Sequence, residues 1–210
     1  MNVKLIWATP SADKLVGYIA RVSNPANQDN PDVAGLIRYC CRNGHWSVFE
    51  MVSACVEIET TRDIARQILR HRSFSFQEFS QRYQSVGELP EAEMRECRLQ
   101  DAKNRQNSIH TDDVVLSEAW YAVQEEVARK SKEAYDWALK AGIAKEQARA
   151  VLPEGLTTSR MYMSGTLRSW LHYVSLRADN GTQKEHRQIA VAVQDVLRQA
   201  FPETFSAIQM

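Results

Sequence analysis

Residues Val52 to Tyr83 read VSACVEIETTRDIARQILRHRSFSFQEFSQRY, and three patterns follow one another within them. From Val52 to Glu59 apolar and polar residues alternate. Val52, Ala54, Val56 and Ile58 point one way; Ser53, Cys55, Glu57 and Glu59 point the other. A period of two predicts a half-buried strand. Thr60 or Thr61 then caps a predicted helix running to about Arg70. The final part, Arg70 to Tyr83, follows neither period. It interleaves arginines, a histidine, a glutamate and serines with Phe74, Phe76 and Phe79. Residues 61 to 83 carry five arginines against Asp63 and Glu78, a local charge of +3 in a chain whose formal net charge is zero. A solvated basic face does not need the phenylalanines, and a core does not accept the charges. At least one phenylalanine belongs to the core of a strand that follows the helix.

Outward from this stretch, NVKLIWA near the N-terminus predicts a short strand, and Ser11 to Ala20 a helix opened by a serine cap. Residues 24–31, NPANQDNP, form a loop. Pro31 suits the first turn of a helix to about Arg42, ended by Asn43-Gly44. Toward the C-terminus, residues 91–112 are polar and aperiodic and predict a loop-rich insertion. A long helix from about Asp113 to Lys140 carries Leu116, Trp120, Val123 and Val127 on one stripe, and Gly142 stops it. A short helix, Lys145 to Leu152, ends at Pro153. TSRMYMS predicts another strand. Thr166 to Ala178 and Gln183 to Ala200 predict two last helices. Helices outnumber strands and do not alternate regularly with them. The expected class is α+β, a small, mostly antiparallel sheet flanked by helices, in a single domain spanning residues 1–210.

Composition narrows the chemistry. Hydrophobic content of 44% and charged content of 25% are ordinary for a globular chain of 210 residues. Balanced charge, 26 basic against 26 acidic residues, argues against a nucleic-acid partner. No apolar run approaches the roughly 20 residues of a membrane span, and MNVKLIWATP lacks a signal core, so no membrane partner is expected. Cys40, Cys41, Cys55 and Cys97 show no CxxC spacing, which predicts reduced thiols and a cytoplasmic location. Five scattered histidines predict no metal site. There is no GxGxxG and no P-loop, so any nucleotide must be held by arginines, hydroxyls and helix N-termini. A GxSxG elbow is also missing.

Three further segments carry candidates. GHWSVFE places His45, Ser47 and Glu50 between a helix end and a strand, where functional residues concentrate. ARAVLP offers Arg149. GTLRSWLHYVSLRAD puts Arg168 and His172 on one helical face, with Arg177 about two and a half turns beyond Arg168. Taken singly, each has a plain structural reading: a lone histidine usually packs, and Arg177 has Asp179 close by for an ion pair. If residues 80–82 are extended, Ser80 and Arg82 point the same way.

Together the segments match a family. RHRSFSFQEFSQR has the form RHRxxSx(N/Q)xxSxR and resembles the signature of flavin-dependent thymidylate synthases. ARVSN, GHWSVFE, ARAVLP and GTLRSWLHYVSLRAD resemble further family segments, whereas nothing matches residues 91–112. The resemblance implies transfer of a one-carbon unit from methylenetetrahydrofolate to C5 of dUMP, with FAD delivering the hydride and NADPH as reductant. It places Gln67, Arg70, Glu78, Phe79, Ser80, Gln81, Arg82 and Arg149 at dUMP-holding positions. Arg177 falls at a catalytic position beside the uracil ring. The implied FAD positions are His45, Ser47, Glu50, Arg70, His71, Arg72, Gln77, Glu78, Thr166, Arg168 and His172. Gln77 stands where asparagine is more usual, and Met51 follows Glu50 where many members have histidine. The family fold is α+β and assembles as a homotetramer with shared sites. A non-catalytic nucleotide-binding or regulatory protein and a nucleic-acid-binding module remain as alternatives, the latter disfavoured by the neutral charge.

Overall fold

The computed structural model describes residues 1–208. In chain order its elements are β1 (Asn2–Ala8), α1 (Ala12–Ala20), α2 (Ala34–Arg42), β2 (Ser53–Thr61), α3 (Arg62–Ile68), β3 (Ser75–Glu78), β4 (Arg98–Gln100), β5 (Ser108–His110), α4 (Val114–Lys140), α5 (Lys145–Ala148), β6 (Thr158–Thr166), α6 (Leu167–Arg177), α7 (Lys184–Ala200) and α8 (Pro202–Ala207). The main sheet has the order β1-β2-β6-β3, and every neighbouring pair is antiparallel. The class is α+β, as expected.

Alternation in β2 works as read. Val52, Ala54, Val56 and Ile58 are fully buried. Ile58 lies opposite Met161 and Val56 opposite Met163, so the two strands present one apolar face. Ile64, Ile68, Leu167, Trp170, Tyr173, Ile189 and Val193 cover it from α3, α6 and α7. The reverse face keeps its charges, with Arg160 paired to Glu59 at 2.5 Å.

The helix starts differ from expectation. Ser11 sits in the left-handed region at φ 51 and its side chain makes no cap bond. Thr61 does precede α3, but its hydroxyl donates to Asp63 at 2.5 Å instead of accepting a backbone N–H. α2 begins at Ala34, not at Pro31, because a turn has already claimed that backbone. The Asp32 N–H donates to Asn30 Oδ1, and buried Arg21 donates to the carbonyls of Asn30 and Asp32. The short helix after Gly142 stops at Ala148 and continues only as a tight turn, Arg149–Val151. α8 was not expected. Its first N–H groups are capped by the Asp13 carboxylate, 190 residues away from Glu203 in sequence.

Residues 91–112 are more ordered than expected, because β4 and β5 pair as a small hairpin. Gln124 ties the segment to α4: its amide accepts from the Arg95 N–H at 2.8 Å and donates to the Arg95 carbonyl at 2.9 Å. α4 spans about 40 Å. The stripe of Leu116, Trp120, Val123 and Val127 does not face the core. All four are exposed, with Val115 at 78% and Trp137 at 66%. Of its apolar residues Tyr135 and Ala138 are buried, packing with Leu139 against Val86, Ala148 and Leu152.

Gly165 in β6 allows a close approach. A Cβ there would lie 2.5 Å from Phe74 Cδ1, and that ring is wedged 4.6 Å from Trp170. Gly165→Ala should therefore cost about 1–3 kcal/mol through overpacking and lower the Tm by several degrees. An unchanged melting curve would show that Phe74 can move freely.

Candidate functional site

α3 and α6 leave opposite ends of the β2–β6 pair, and their C-terminal ends meet on the covered face of the sheet. There, Arg177 Nε donates to His71 Nε2 at 2.9 Å. A ring nitrogen that accepts from a guanidinium is unprotonated, so His71 is neutral. Burial is the main cause, and Arg177, His172 and Arg70 add to it; together they lower its pKa to about 4. The His71 ring stands edge-on to Tyr173, with centroids 5.0 Å apart.

Gln67 lies one turn earlier, in α3. It donates to Gln183 Oε1 at 2.8 Å, while its own Oε1 meets His186 Nδ1 at 3.3 Å. His186 Nε2 meets the Tyr173 hydroxyl at 3.2 Å. His186 is wholly buried. Burial, then Arg177 and His71, push its pKa down to about 3. Burial also raises the pKa of the Tyr173 phenol, against the opposing effect of Arg177. Phe74, Trp170 and Tyr173 pack edge to face beneath these groups.

A rim surrounds this inner group. Thr166 caps α6 by accepting from the Ser169 N–H, and Ser169 Oγ donates to the Ser73 carbonyl. These bonds pin the Arg70–Phe74 turn to the start of α6. Arg168 pairs with Glu50 across the rim. His45 follows Gly44, whose φ of 68 ends α2 as the Asn-Gly pair predicts, and its ring packs edge-on to Tyr39. His45, Ser47, Arg70, Arg72, Gln77 and His172 are all exposed. Arg70 and Arg72 make no ion pair among the described residues.

The remaining expected residues gather elsewhere. Glu78 accepts from Ser159 Oγ at 2.6 Å and lies 3.6 Å from Arg62. The Phe79 N–H donates to the Arg160 carbonyl. Ser80 to Gln84 form a turn, with Tyr83 and Gln84 N–H groups on the Ser80 carbonyl, so this segment is not extended. Gln81 is buried and its Nε2 has no partner. Arg82 pairs with the Glu146 carboxylate at 3.3 Å, and Arg149 Nε donates to the Glu146 carbonyl at 3.3 Å. Among the described residues, no hydrogen bond or ion pair joins this second group to Arg177 and His71. Arg177 forms no pair with Asp179, which accepts from the Gly181 N–H instead.

The sequence reading missed Gln183, Glu185, His186 and Tyr173. One signal was available. His186 shares the buried face of α7 with Ile189, Ala190 and Val193 at helical spacing. A histidine in that row needs polar partners from neighbouring elements. The four cysteines stand apart from the site as free thiols. Burial raises the pKa of Cys40, Cys41 and Cys55, that of Cys41 to about 11 with help from Cys40, which opposes nucleophilic use.

The family model described as "Thymidylate synthase complementing protein" matches residues 4–203. The chain belongs to this family. It is 50% identical over 199 residues to a flavin-dependent thymidylate synthase of Synechocystis sp., covering 95% of this chain and 90% of that one. It is 47% identical to a probable flavin-dependent thymidylate synthase of Paramecium bursaria Chlorella virus 1, over 99% of both chains. Among solved structures, the UMP/dUMP methylase PolB from Streptomyces cacaoi, bound with 5-Br dUMP, matches with a TM-score of 0.81 and 31% identity. That match covers 98% of this chain and 93% of the methylase.

The two neutral histidines of this family member make its stability depend on acid. An unfolded histidine takes up a proton near pH 6.5, whereas His71 holds off until about 4 and His186 until about 3. Between these values the unfolded state binds more protons. Stability is therefore complete above about 6.5 and falls as pH drops toward 4. Thermal melts across that range should show a falling Tm, and His186→Gln should flatten the slope. A slope unaffected by His186→Gln would remove this residue from the linkage.

Proposed function

We propose that this protein is a flavin-dependent thymidylate synthase, converting dUMP to dTMP with methylenetetrahydrofolate as carbon donor and NADPH as reductant. The observation that carries the reading is Arg177, tethered through Nε to a neutral His71 in a chain of this family. His71 takes no share of the charge and fixes one edge of the guanidinium, and among the described residues neither Nη group has a partner, which leaves a pre-oriented cation for a ligand. Such a cation beside the uracil ring stabilises negative charge developing at N3 without reorganising. Arg70 and Gln67 flank the same place. Arg82, Arg149, Ser80 and the unpartnered Gln81 Nε2 form a set suited to the nucleotide phosphate, with Glu78 and Phe79 leading into it.

The residues present also suit FAD. Arg70 and Arg72 are uncompensated exposed cations, Arg168 lies in the first turn of α6, and the rim adds the Ser47 and Thr166 hydroxyls. Two phosphates need this kind of donor set. His45, Glu50, His71, Gln77, Glu78 and His172 complete the proposed flavin positions. When bound, FAD supplies the hydride that completes the methyl group. The protein's part is to bind, orient and stabilise charge.

We place the working enzyme in a homotetramer of single-domain chains. Two observations support it. Among the described residues, no hydrogen bond or ion pair links the phosphate group of residues to the Arg177 group, which suits sites shared between subunits. The stripe on α4 exposes Trp120, Val123 and Val127 on one helix, more apolar surface than an isolated helix face normally leaves in water. No helix among the described residues is long and apolar enough to cross a membrane. Free thiols and a need for NADPH suit the cytoplasm.

Purified protein with FAD, dUMP, methylenetetrahydrofolate and NADPH should release dTMP. Arg177→Ala should reduce the rate by about 10²–10³-fold, the cost of removing one pre-oriented charge-stabilising donor, while flavin absorbance is retained. Near-normal turnover by Arg177→Ala would sink its assignment to the base. Light scattering should report four chains. Trp120→Glu combined with Val123→Glu should give smaller species that have lost activity. Active monomers would refute shared sites.

A further inference from the structure

A continuous polar chain runs behind the inner group, and its direction can be deduced. Glu185, at the start of α7, is buried with its carboxylate between two arginines of the inserted segment. Arg98 Nη2 lies 2.5 Å from Oε1 and Arg95 Nη1 3.2 Å from Oε2. Burial alone would raise its pKa, but hydrogen bonds from Arg98, its own backbone N–H and Gln183, with the charge of Arg95, bring it below the usual glutamate value. It is therefore ionised and can only accept.

The rest of the chain follows from that. Gln183 Nε2 donates to Glu185 Oε2 at 2.9 Å, so Gln183 turns its oxygen the other way. That oxygen accepts from Gln67 Nε2 at 2.8 Å, so Gln67 in turn faces His186 with its oxygen. An amide oxygen cannot donate, so the proton of the His186–Gln67 bond sits on His186 Nδ1. His186 is neutral, which leaves its Nε2 as the acceptor for the Tyr173 hydroxyl. One carboxylate thus fixes two amide orientations, one imidazole tautomer and one hydroxyl direction. Gln67 keeps one free N–H and one free lone pair for a ligand.

We propose that Glu185, clamped by Arg95 and Arg98, is a positioning residue that sets the Gln67 amide for nucleotide binding through Gln183. This gives residues 91–112 a role: its arginines hold the anchor of the chain, and Gln124 and Asp63 hold Arg95 in turn. The inference rests on the reading of Gln67 as a dUMP position.

The test uses full-length, flavin-loaded protein. dUMP affinity is measured by calorimetry, and the His186 tautomer is read from ring-nitrogen shifts after isotopic labelling of histidine. Wild type should show a single tautomer with the proton on Nδ1. Glu185→Gln replaces an obligate acceptor with a group that also donates, so the direction of the chain is no longer imposed. Gln183→Ala breaks the chain and leaves the ion pairs of Glu185 intact, and it decides the matter if Glu185→Gln does not fold. Each should weaken dUMP binding by roughly 5- to 30-fold, the range for a hydrogen bond lost or misdirected. Turnover at saturating dUMP should be retained, and His186 should show mixed tautomers. Gln67→Ala is the reference. If it binds dUMP as wild type does, the dUMP reading of that position falls and this inference falls with it. If Gln67→Ala weakens binding but folded Gln183→Ala does not, the inference alone is overturned. Weaker dUMP binding with an unchanged His186 tautomer also overturns it, since the loss then reflects general loosening.

Discussion

The pairing of β2 with β6 is the constraint from which the site follows. The two strands match residue for residue over their full nine-residue lengths. Because they are antiparallel, the helices that continue from their C-terminal ends start at opposite ends of the pair. The pair is about 30 Å long. α3 and α6 are about 10 Å and 16 Å long. Folded back over the covered face, they nearly use up that length, and their C-terminal ends meet. His71 and Arg177 are neighbours for this reason, although 106 residues separate them in sequence. Arg70 and Arg177 both follow or end a helix, where unpaired carbonyls favour positive charge.

Much of this was legible in the chain. The alternation from Val52 to Glu59 gave the strand and its buried face. The mixed composition of residues 70–83 marked a site, since neither core nor solvent accounts for three phenylalanines among arginines. Only Phe74 proved buried; Phe76 and Phe79 are half-buried. What could not be read depended on partners far away in sequence. α8 is capped by Asp13, and Gln67 is oriented by Gln183, so neither environment can be inferred from adjacent residues. Ser11 and Thr61 are good cap residues by type, but one adopts a left-handed backbone and the other spends its hydroxyl on a carboxylate.

The α4 stripe was legible only as a pattern, for a different reason. Periodicity shows that a helix has an apolar face, and says nothing about what covers it. Trp120, Val123 and Val127 carry the pattern of core residues and lie in the open. Residues 91–112 show the opposite limit. Polar, aperiodic sequence predicts a loop-rich segment, and most of it is loop, yet Arg95 and Arg98 are bound on several sides by Asp63, Glu185 and Gln124. Charged residues order a segment when buried counter-charges wait for them.

The long reach of the β2–β6 pairing also bears on how the chain is made. Trp170 donates to the Ala54 carbonyl across 116 residues, and β2 has no partner on that side until β6 exists. Synthesis from the N-terminus delivers Val56 and Ile58 early and their cover late. In that interval the nascent chain presents an apolar strand with an open edge, the kind of surface that invites wrong pairing. The pairings of β2 with β1 and with β6 join residues far apart in sequence, which slows folding. The same order of events leaves chains cut before α6 without the Arg177 site, because that arginine and its supports on α7 follow β6 in the chain.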